Sequence, residues 1–202
     1  MCKVKEKNKE QKKPPKTPKQ QLDDKLWITR KSRINASERL LKTANFINFI
    51  NVYYSIFLIL LSLISISPFA DKSGLLSYVS LAGSITLTIS IIYASSLGYK
   101  RRSTALKQNY IALQGLMDRL KFTNDTDKEG IQVIQQEYND LLNNVENHKN
   151  IDYLDLLRTR TVEDKSMTIG NWCYYLGYYL WNFIWKAVLV IAPVAYIVYL
   201  FV

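Results

Sequence analysis

Residues that build most enzyme and metal sites are scarce in this chain. Its 202 residues include one histidine, His148, and two cysteines, Cys2 and Cys173. Neither cysteine lies in a CxxC pair, which argues against a zinc site or a disulfide framework. A catalytic triad would need a nucleophile placed against His148, and no GxSxG turn signals one. We therefore predict that the chain is not an enzyme and has no catalytic, cofactor-binding or metal site.

Charge is missing from two long stretches of the chain. Residues 46–66 and 75–99 carry no charged side chain over 21 and 25 positions, respectively. A helix of about 20 apolar residues is long enough to cross a hydrocarbon core of about 30 Å. The sequence therefore predicts a transmembrane helical hairpin over residues 46–99.

Lysine and arginine are distributed unevenly around these two stretches. Residues 1–45 hold 14 basic and 5 acidic groups, and three further basic residues, 100–102, follow the second stretch directly. The connection over residues 68–74 has one acidic and one basic group. Because cytoplasmic segments carry the excess of Lys and Arg, we expect a cytoplasmic N-terminus, both ends of the hairpin in the cytoplasm and residues 68–74 outside.

The first 22 residues are rich in lysine and proline and poor in apolar side chains. Such a composition predicts a disordered basic tail that is attracted to the anionic surface of the lipid bilayer. No aromatic residue lies among the lysines to stack on bases, so we predict no direct nucleic-acid binding. Residues 23–45 are expected to form a basic amphipathic helix in the cytosol.

Small and polar residues repeat at helical spacing within both predicted spans. They are Asn48, Asn51, Ser55 and Ser62 in the first span, and Ser80, Ser84 and Thr88 in the second. A further face of the second span carries Thr86, Ser90, Ala94 and Gly98. These faces either pack the hairpin closely or line water in a pore. Two helices cannot enclose a pore, so the second interpretation requires a homo-oligomer.

Two seams of apolar residues follow the hairpin within residues 100–166. The first comprises Leu106, Tyr110, Leu113, Met117 and Leu120, and the second Ile131, Ile134, Tyr138, Leu141, Val145 and His148. This spacing predicts an antiparallel pair of cytosolic helices, the second capped by Thr126 or Asp127. His148 is then expected on the seam at a helix C-terminus, where it can bond to terminal carbonyls or to Asp152. Asn150 or Asp152 is expected to cap a further short helix.

A third apolar block occupies residues 167–202. Its first half is rich in tryptophan and tyrosine, and its second half, 187–202, is aliphatic apart from Pro193. Two interpretations fit: one tilted third span, or an interfacial helix that leads into a short span. The predicted fold is an all-α membrane protein with a transmembrane hairpin, a cytosolic antiparallel helical pair and this C-terminal aromatic-rich helix.

Four stretches of the sequence resemble one protein family. They are LWITRKSRINASERLL, NVYYSIFLILLSL, YKRRSTALKQNYIALQGL and EYNDLLNNVENHKNIDY. The chain resembles the SLATT family, the SMODS- and SLOG-associated two-transmembrane effectors, and most of all its reverse-transcriptase-associated branch, over residues 24–160. The most specific part of the resemblance comprises Glu146, Asn147, His148, Asp152 and Tyr153, to which we assign a structural or switch role.

The resemblance implies a membrane effector of a bacterial antiphage, abortive-infection system. Such an effector is expected to lie in the inner membrane beside a sensor, either a reverse transcriptase or a nucleotide second-messenger synthase. Once triggered, it would oligomerise and permeabilise the membrane. One alternative is a non-conducting anchor or adaptor that recruits a cytosolic partner. The other is a membrane hydrolase that uses a serine and His148.

Overall fold

The computed structural model describes residues 16–66, 74–159 and 166–201. Within these ranges the chain forms six helices and no strand, which confirms the predicted all-α class. The helices are α1 (Pro18–Ile66), α2 (Leu75–Ser96), α3 (Tyr99–Phe122), α4 (Lys128–Asn143), α5 (Asn150–Thr159) and α6 (Ile169–Phe201). Residues 1–15 of the tail expected over residues 1–22, and most of the predicted 68–74 connection, lie outside the described residues.

The first helix, α1, joins the region predicted to be cytosolic to the predicted first span without a break. It has 49 residues and is therefore roughly 74 Å long at 1.5 Å per residue. It begins at Pro18, inside the segment that composition assigned to the tail. Residues 18–22 are helical because Leu22 is buried in an apolar core together with Leu26.

The N-terminal half of α1 forms a three-helix bundle with α3 and α4. Helices α1 and α3 run antiparallel, since Ser37 meets Ser103, Arg33 meets Asn109 and Lys19 reaches the carbonyl of Thr123. Helix α4 packs onto this pair. The shared core comprises Leu22, Leu26, Leu113, Leu116, Met117, Leu120, Ile134 and Tyr138. The predicted helical pair is thus part of a bundle in which α1 is the third member.

Helix α4 ends before the last two residues of the apolar seam that the sequence predicted up to His148. Ile134 and Tyr138 are buried as predicted, but the helix stops at Asn143. Val145 and His148 therefore lie in the connection to α5, and the prediction that His148 continues the helical seam is wrong. The reason is that buried groups of α1 and α3 cap the last carbonyls of α4, as described below.

A glycine separates the membrane helix α2 from the bundle helix α3. Gly98 has a φ of 58°, in the left-handed region that costs glycine little and other residues more. Helix α2 ends at Ser96 and α3 begins at Tyr99, so the uncharged stretch 75–99 is not one helix. The helix is thus interrupted between α2 and α3, whereas α1 continues past this level without a break.

The apolar parts of α1, α2 and α6 leave most of their surface outside any protein core. Three helical stretches among the described residues are long and apolar enough to cross a membrane. Large aliphatic side chains such as Val52, Ile59, Ile92 and Leu180 are exposed on them. An apolar surface of this extent is typical of contact with lipid.

Candidate functional site

A groove lined by hydroxyl groups runs between α1 and α2. It has a volume of about 600 Å³. Its hydroxyl side chains, which define the hydroxyl groove, are Ser55, Ser62, Ser65, Ser77, Ser80, Ser84 and Thr88. The structure therefore brings together Ser55, Ser62, Ser80, Ser84 and Thr88, five of the seven residues singled out from the sequence.

The other two predicted residues, Asn48 and Asn51, line a separate groove toward α3. This amide groove has a volume of about 400 Å³ and also contains Ala94, Gly98 and the basic residues 100–101. Ile91 lines both grooves, so they follow one another along the α1–α2 interface. The polar face predicted on α1 is thus divided between two adjoining grooves.

Three of the seven hydroxyl groups of the hydroxyl groove donate hydrogen bonds within their own helix, and Ser65 and Ser77 bond to each other between α1 and α2. Ser55 Oγ donates to the Asn51 carbonyl at 2.7 Å, Ser84 to Leu81 at 2.8 Å and Thr88 to Ser84 at 2.9 Å. These donors need no water, which suits an apolar surrounding. Each hydroxyl oxygen keeps acceptor capacity that faces the groove.

Helices α1 and α2 approach closely at Gly83. A methyl group built on Gly83 would lie 2.7 Å from Leu58 Cδ2, closer than side chains pack without moving. Thr86 and Ser90, on the second small-residue face of α2, line a further groove of about 760 Å³. That groove is shared with α6 through Leu189, Pro193 and neighbouring residues.

Asp152 is the most buried carboxylate among the described residues. It is 2% exposed and receives two hydrogen bonds from Arg39, from Nε at 2.7 Å and from Nη2 at 3.0 Å. The backbone N–H of Lys149 donates to the same carboxylate at 2.8 Å, which is one half of a capping box at the start of α5. Asn35 donates to the Asp152 carbonyl at 3.0 Å. Of the two predicted caps of α5, Asp152 is thus the residue that bonds to its first turn.

A second arginine–carboxylate pair lies close to the helix break at Gly98. Arg102, in the first turn of α3, donates to both oxygens of Glu146, at 2.9 Å from Nε to Oε1 and 2.6 Å from Nη2 to Oε2. Glu146 belongs to the connection between α4 and α5. We call the pairs Arg39–Asp152 and Arg102–Glu146 the juxtamembrane lock, because they fix this connection to α1 and α3 just before the uncharged stretches.

Arg33 is fully buried and closes the C-terminus of α4. Its guanidinium donates to Asn109 Oδ1, to the Leu141 carbonyl at 3.0 Å and to the Leu142 carbonyl at 3.3 Å. Asn109 Nδ2 donates to the same Leu141 carbonyl at 2.8 Å. A cation at the end of a helix is stabilised by its terminal carbonyls. Burial nevertheless lowers the pKa of Arg33 from its usual value.

His148 lies between these groups as a half-buried side chain in the α4–α5 connection. Burial is the largest effect and lowers its pKa; the nearby Asp152 carboxylate opposes this, and the Arg33 charge adds a still smaller lowering effect. The expected hydrogen bond from His148 to Asp152 is replaced by the bonds from Arg39. Of the other switch candidates, Asn147 is exposed and Tyr153 packs beside the Leu154–Leu157 cluster.

Four residues of this site were missed by sequence reasoning: Arg33, Arg39, Arg102 and Asn109. One signal was present, since Leu22, Leu26, Thr29, Arg33, Ala36 and Leu40 recur at steps of four and three. This spacing assigns Arg33 to the apolar face of α1. No spacing in the sequence indicates the partners of Arg39 and Arg102, which are distant in the chain.

The arrangement resembles no hydrolytic or metal centre. Among the described residues, no group of three His, Cys, Asp or Glu side chains could hold a metal ion. A family model, the SMODS and SLOG-associating 2TM effector domain family 5, matches residues 15–200. The chain belongs to this SLATT family. SLATT proteins are associated with SMODS and SLOG nucleotide-signalling systems and are not known as catalysts.

The extent of the SLATT match changes one expectation from the sequence. The resemblance was placed over residues 24–160, with the aromatic C-terminal block outside the family core. The match continues to residue 200 and thus includes most of α6. It does not distinguish a reverse-transcriptase-associated branch. Comparison with curated proteins and with solved structures gives no match.

Proposed function

We propose that this protein is a membrane effector that self-associates and permeabilises the bacterial inner membrane when a partner sensor triggers it, as in an antiphage response. The observation that carries the proposal is the hydroxyl groove. Seven hydroxyl side chains line one groove on helices whose other surfaces are largely aliphatic. Polar groups at membrane depth are typical of helices that line water or meet a partner.

The proposed path forms between copies of the chain, because one hairpin cannot enclose water. In an assembled ring, the hydroxyl groove of each copy would face the centre, and the aliphatic surfaces would face lipid. The serine and threonine oxygens would then accept hydrogen bonds from water while their own donors remain bonded to the helix. Asn48 and Asn51 would extend this lining toward the cytosolic end.

The trigger is proposed to act on the juxtamembrane lock. A sensor that binds the cytosolic bundle could move α4 and α5, which the lock ties to α1 and α3. The family's association with nucleotide signalling favours a second-messenger synthase as the sensor, and the reverse transcriptase suggested by the sequence is the other candidate.

The test is the membrane potential of bacteria that express the protein with its neighbouring genes, followed with a potential-sensitive dye during phage infection. Ser84→Leu places a bulky apolar side chain in the hydroxyl groove and is expected to abolish depolarisation. Ser96→Leu is the matched control, since Ser96 is a hydroxyl residue of the same helix that is not among the groove residues. Depolarisation that survives Ser84→Leu, with both variants equally abundant in the membrane, would refute the lining.

A non-conducting anchor or adaptor is the second candidate. It is favoured by the hydroxyl groups that donate to their own helix, because such groups are already satisfied without water. In that case the hydroxyl groove only packs helices. Defence that persists in cells whose membrane potential never changes would support the anchor over the permeabilising effector.

A further inference from the structure

Pro193 interrupts the backbone hydrogen bonding of α6. Proline has no N–H, so the carbonyl of Leu189, four residues earlier, loses its helical donor. The hydroxyl of Tyr54 on α1 donates to that carbonyl at 2.9 Å. Its neighbour Tyr53 donates to the next carbonyl, that of Val190, also at 2.9 Å. Helix α1 thus supplies the donor that the sequence of α6 removes.

The depth of this contact indicates where α6 lies. Tyr54 is within the uncharged stretch 46–66, about 12 Å beyond Phe46 along the helix axis. A helix at the membrane surface could bond a freed carbonyl to water and would need no tyrosine. In hydrocarbon no water is available, and the carbonyl must find a protein donor. A helix that crosses the bilayer beside α1 would need such a donor for its freed carbonyl, and the hydroxyl of Tyr54 supplies it.

The contacts between α1 and α6 also fix the direction of α6. They advance along both helices in the same sense, from Phe46 with Trp185, through Tyr53 and Tyr54 with Val190 and Leu189, to Phe57 with Tyr196. The two helices are therefore parallel. If α1 enters the membrane from the side of the bundle, α6 enters from that side as well.

Helix α6 is long enough to contain both an aromatic segment at the membrane surface and a short span. Its aromatic beginning lies on the bundle side, where the Tyr175 hydroxyl donates to Asp155 of α5 at 2.9 Å. At Trp185 it reaches the level of Phe46, and the Lys186 ammonium lies 5.0 Å from the centre of the Phe46 ring. From Trp185 to Phe201 the helix extends roughly 25 Å, near the lower limit for a span.

We infer that α6 is a third membrane span, parallel to α1 and held to it by the Tyr53 and Tyr54 hydroxyls at the carbonyls beside Pro193. The family description names two transmembrane segments, and α6 adds one to the hairpin. The end of α6 therefore lies across the membrane from the cytosolic bundle. This inference does not depend on permeabilisation.

The topology is tested with single cysteines and a membrane-impermeant maleimide on intact cells. Cys2→Ser leaves Cys173, near the bundle end of α6, as the only thiol. A second variant carries Cys2→Ser, Cys173→Ser and Val202→Cys. We expect the Val202→Cys variant to be labelled in intact cells. The variant that retains Cys173 is expected to be labelled only after the membrane is opened, and the absence of its labelling before then shows that the cells were sealed.

Two fusions after residue 202 give an independent measurement. Alkaline phosphatase, active only outside the cytoplasm, is expected to be active, and a fluorescent protein that matures only in the cytoplasm is expected to be dark. A fluorescent fusion with inactive phosphatase would overturn the third span, because α6 would then return to the side of the bundle.

The contact at Pro193 is tested by a double-mutant cycle in detergent. Tyr54→Phe removes the donor and is expected to lower the melting temperature by about 2–4 °C. In a Pro193→Ala background the helix bonds its own Leu189 carbonyl, and the same change is expected to have little effect. Tyr199→Phe is the matched control, because Tyr199 is 78% exposed. Equal effects of Tyr54→Phe in both backgrounds would refute the pairing.

Discussion

At the scale of single residues, the buried Asp152 carboxylate is fully paired. Asp152 accepts three hydrogen bonds from Arg39 and Lys149 although it is almost completely buried. Charge-assisted and bidentate bonds of this kind are stronger than neutral ones. Removal of one partner leaves the other charge without compensation, which is the main reason for the cost of breaking a buried pair.

Asp152→Asn is therefore expected to destabilise the folded protein. A fully buried pair loses about 3–5 kcal/mol when one partner is removed, and since Arg39 is partly exposed we expect about 2 kcal/mol. Thermal unfolding in detergent measures the change. Glu137→Gln is the control, because it breaks the exposed pair with Arg119 and should leave the melting temperature almost unchanged. Equal melting temperatures for both variants would contradict the assignment.

His148 makes stability depend on pH in one direction. Burial and Arg33 lower its pKa in the folded protein below the usual 6.5. Below about pH 6.5 the unfolded chain consequently binds more protons than the folded one. The contribution of neutral His148 is complete above that pH and is lost as the pH falls through the lower pKa of the folded state.

The stability difference between the wild type and His148→Gln is expected to shrink on acidification from about pH 7.5 to about pH 5.5. Melting temperatures across this range measure it. Comparison of the two proteins cancels the titration of groups that do not interact with His148. A difference that is constant or grows toward low pH would mean that His148 is charged in the fold.

At the scale of helices, the break between α2 and α3 depends on a single backbone conformation, the left-handed φ of Gly98. Gly98→Ala puts a side chain in the left-handed region and is expected to cost about 1–2 kcal/mol. Gly115→Ala is its counterpart within α3, where a methyl group meets nothing within 4 Å. That change is expected to stabilise by about 0.5–1 kcal/mol. Opposite shifts of the melting temperature for the two variants would support the left-handed conformation of Gly98, and a stabilising effect of Gly98→Ala would refute it.

The helices were largely predictable because apolar spacing and missing charge are local signals. The stretch 46–66 and the seam from Leu106 to Leu120 needed only the helical period and the length of a span. The end of α4 was not predictable, since apolar spacing continues to His148 while the backbone is capped by residues distant in the chain. The Asp127 cap was foreseen, and its side chain accepts from the Gly130 N–H at 2.9 Å.

The site was less predictable than the helices. Five hydroxyl residues of the groove were found, because side chains at helical spacing share a face. The arginine partners of Glu146 and Asp152 were not found, because each pair joins residues far apart in the chain. Only the packing of α1 against α3 and α5 brings those charges together.

At the scale of the whole molecule, the juxtamembrane lock fixes the α4–α5 connection and α5 to the helices that lead into the uncharged stretches. Arg102→Glu faces Glu146 with a like charge and is expected to release the α4–α5 connection. If the proposed trigger works through this release, the variant should depolarise cells without a sensor. The double variant with Arg102→Glu and Glu146→Arg restores the attraction and is expected not to depolarise cells in the absence of a sensor. Dye measurements that do not distinguish the single variant from the swap would exclude this pair from triggering.

The unbroken α1 helix has a mechanical consequence. Its segment over residues 46–66 is about 30 Å long and continues a helix clamped in the bundle. A tilt of about 5° at the clamp would move the far end sideways by about 3 Å, with no bond broken and no residue refolded. Helix α2 ends before Gly98 and is separate from the bundle helix α3, so it need not follow this tilt. A small displacement within the bundle is thus magnified at the far end of the 46–66 segment.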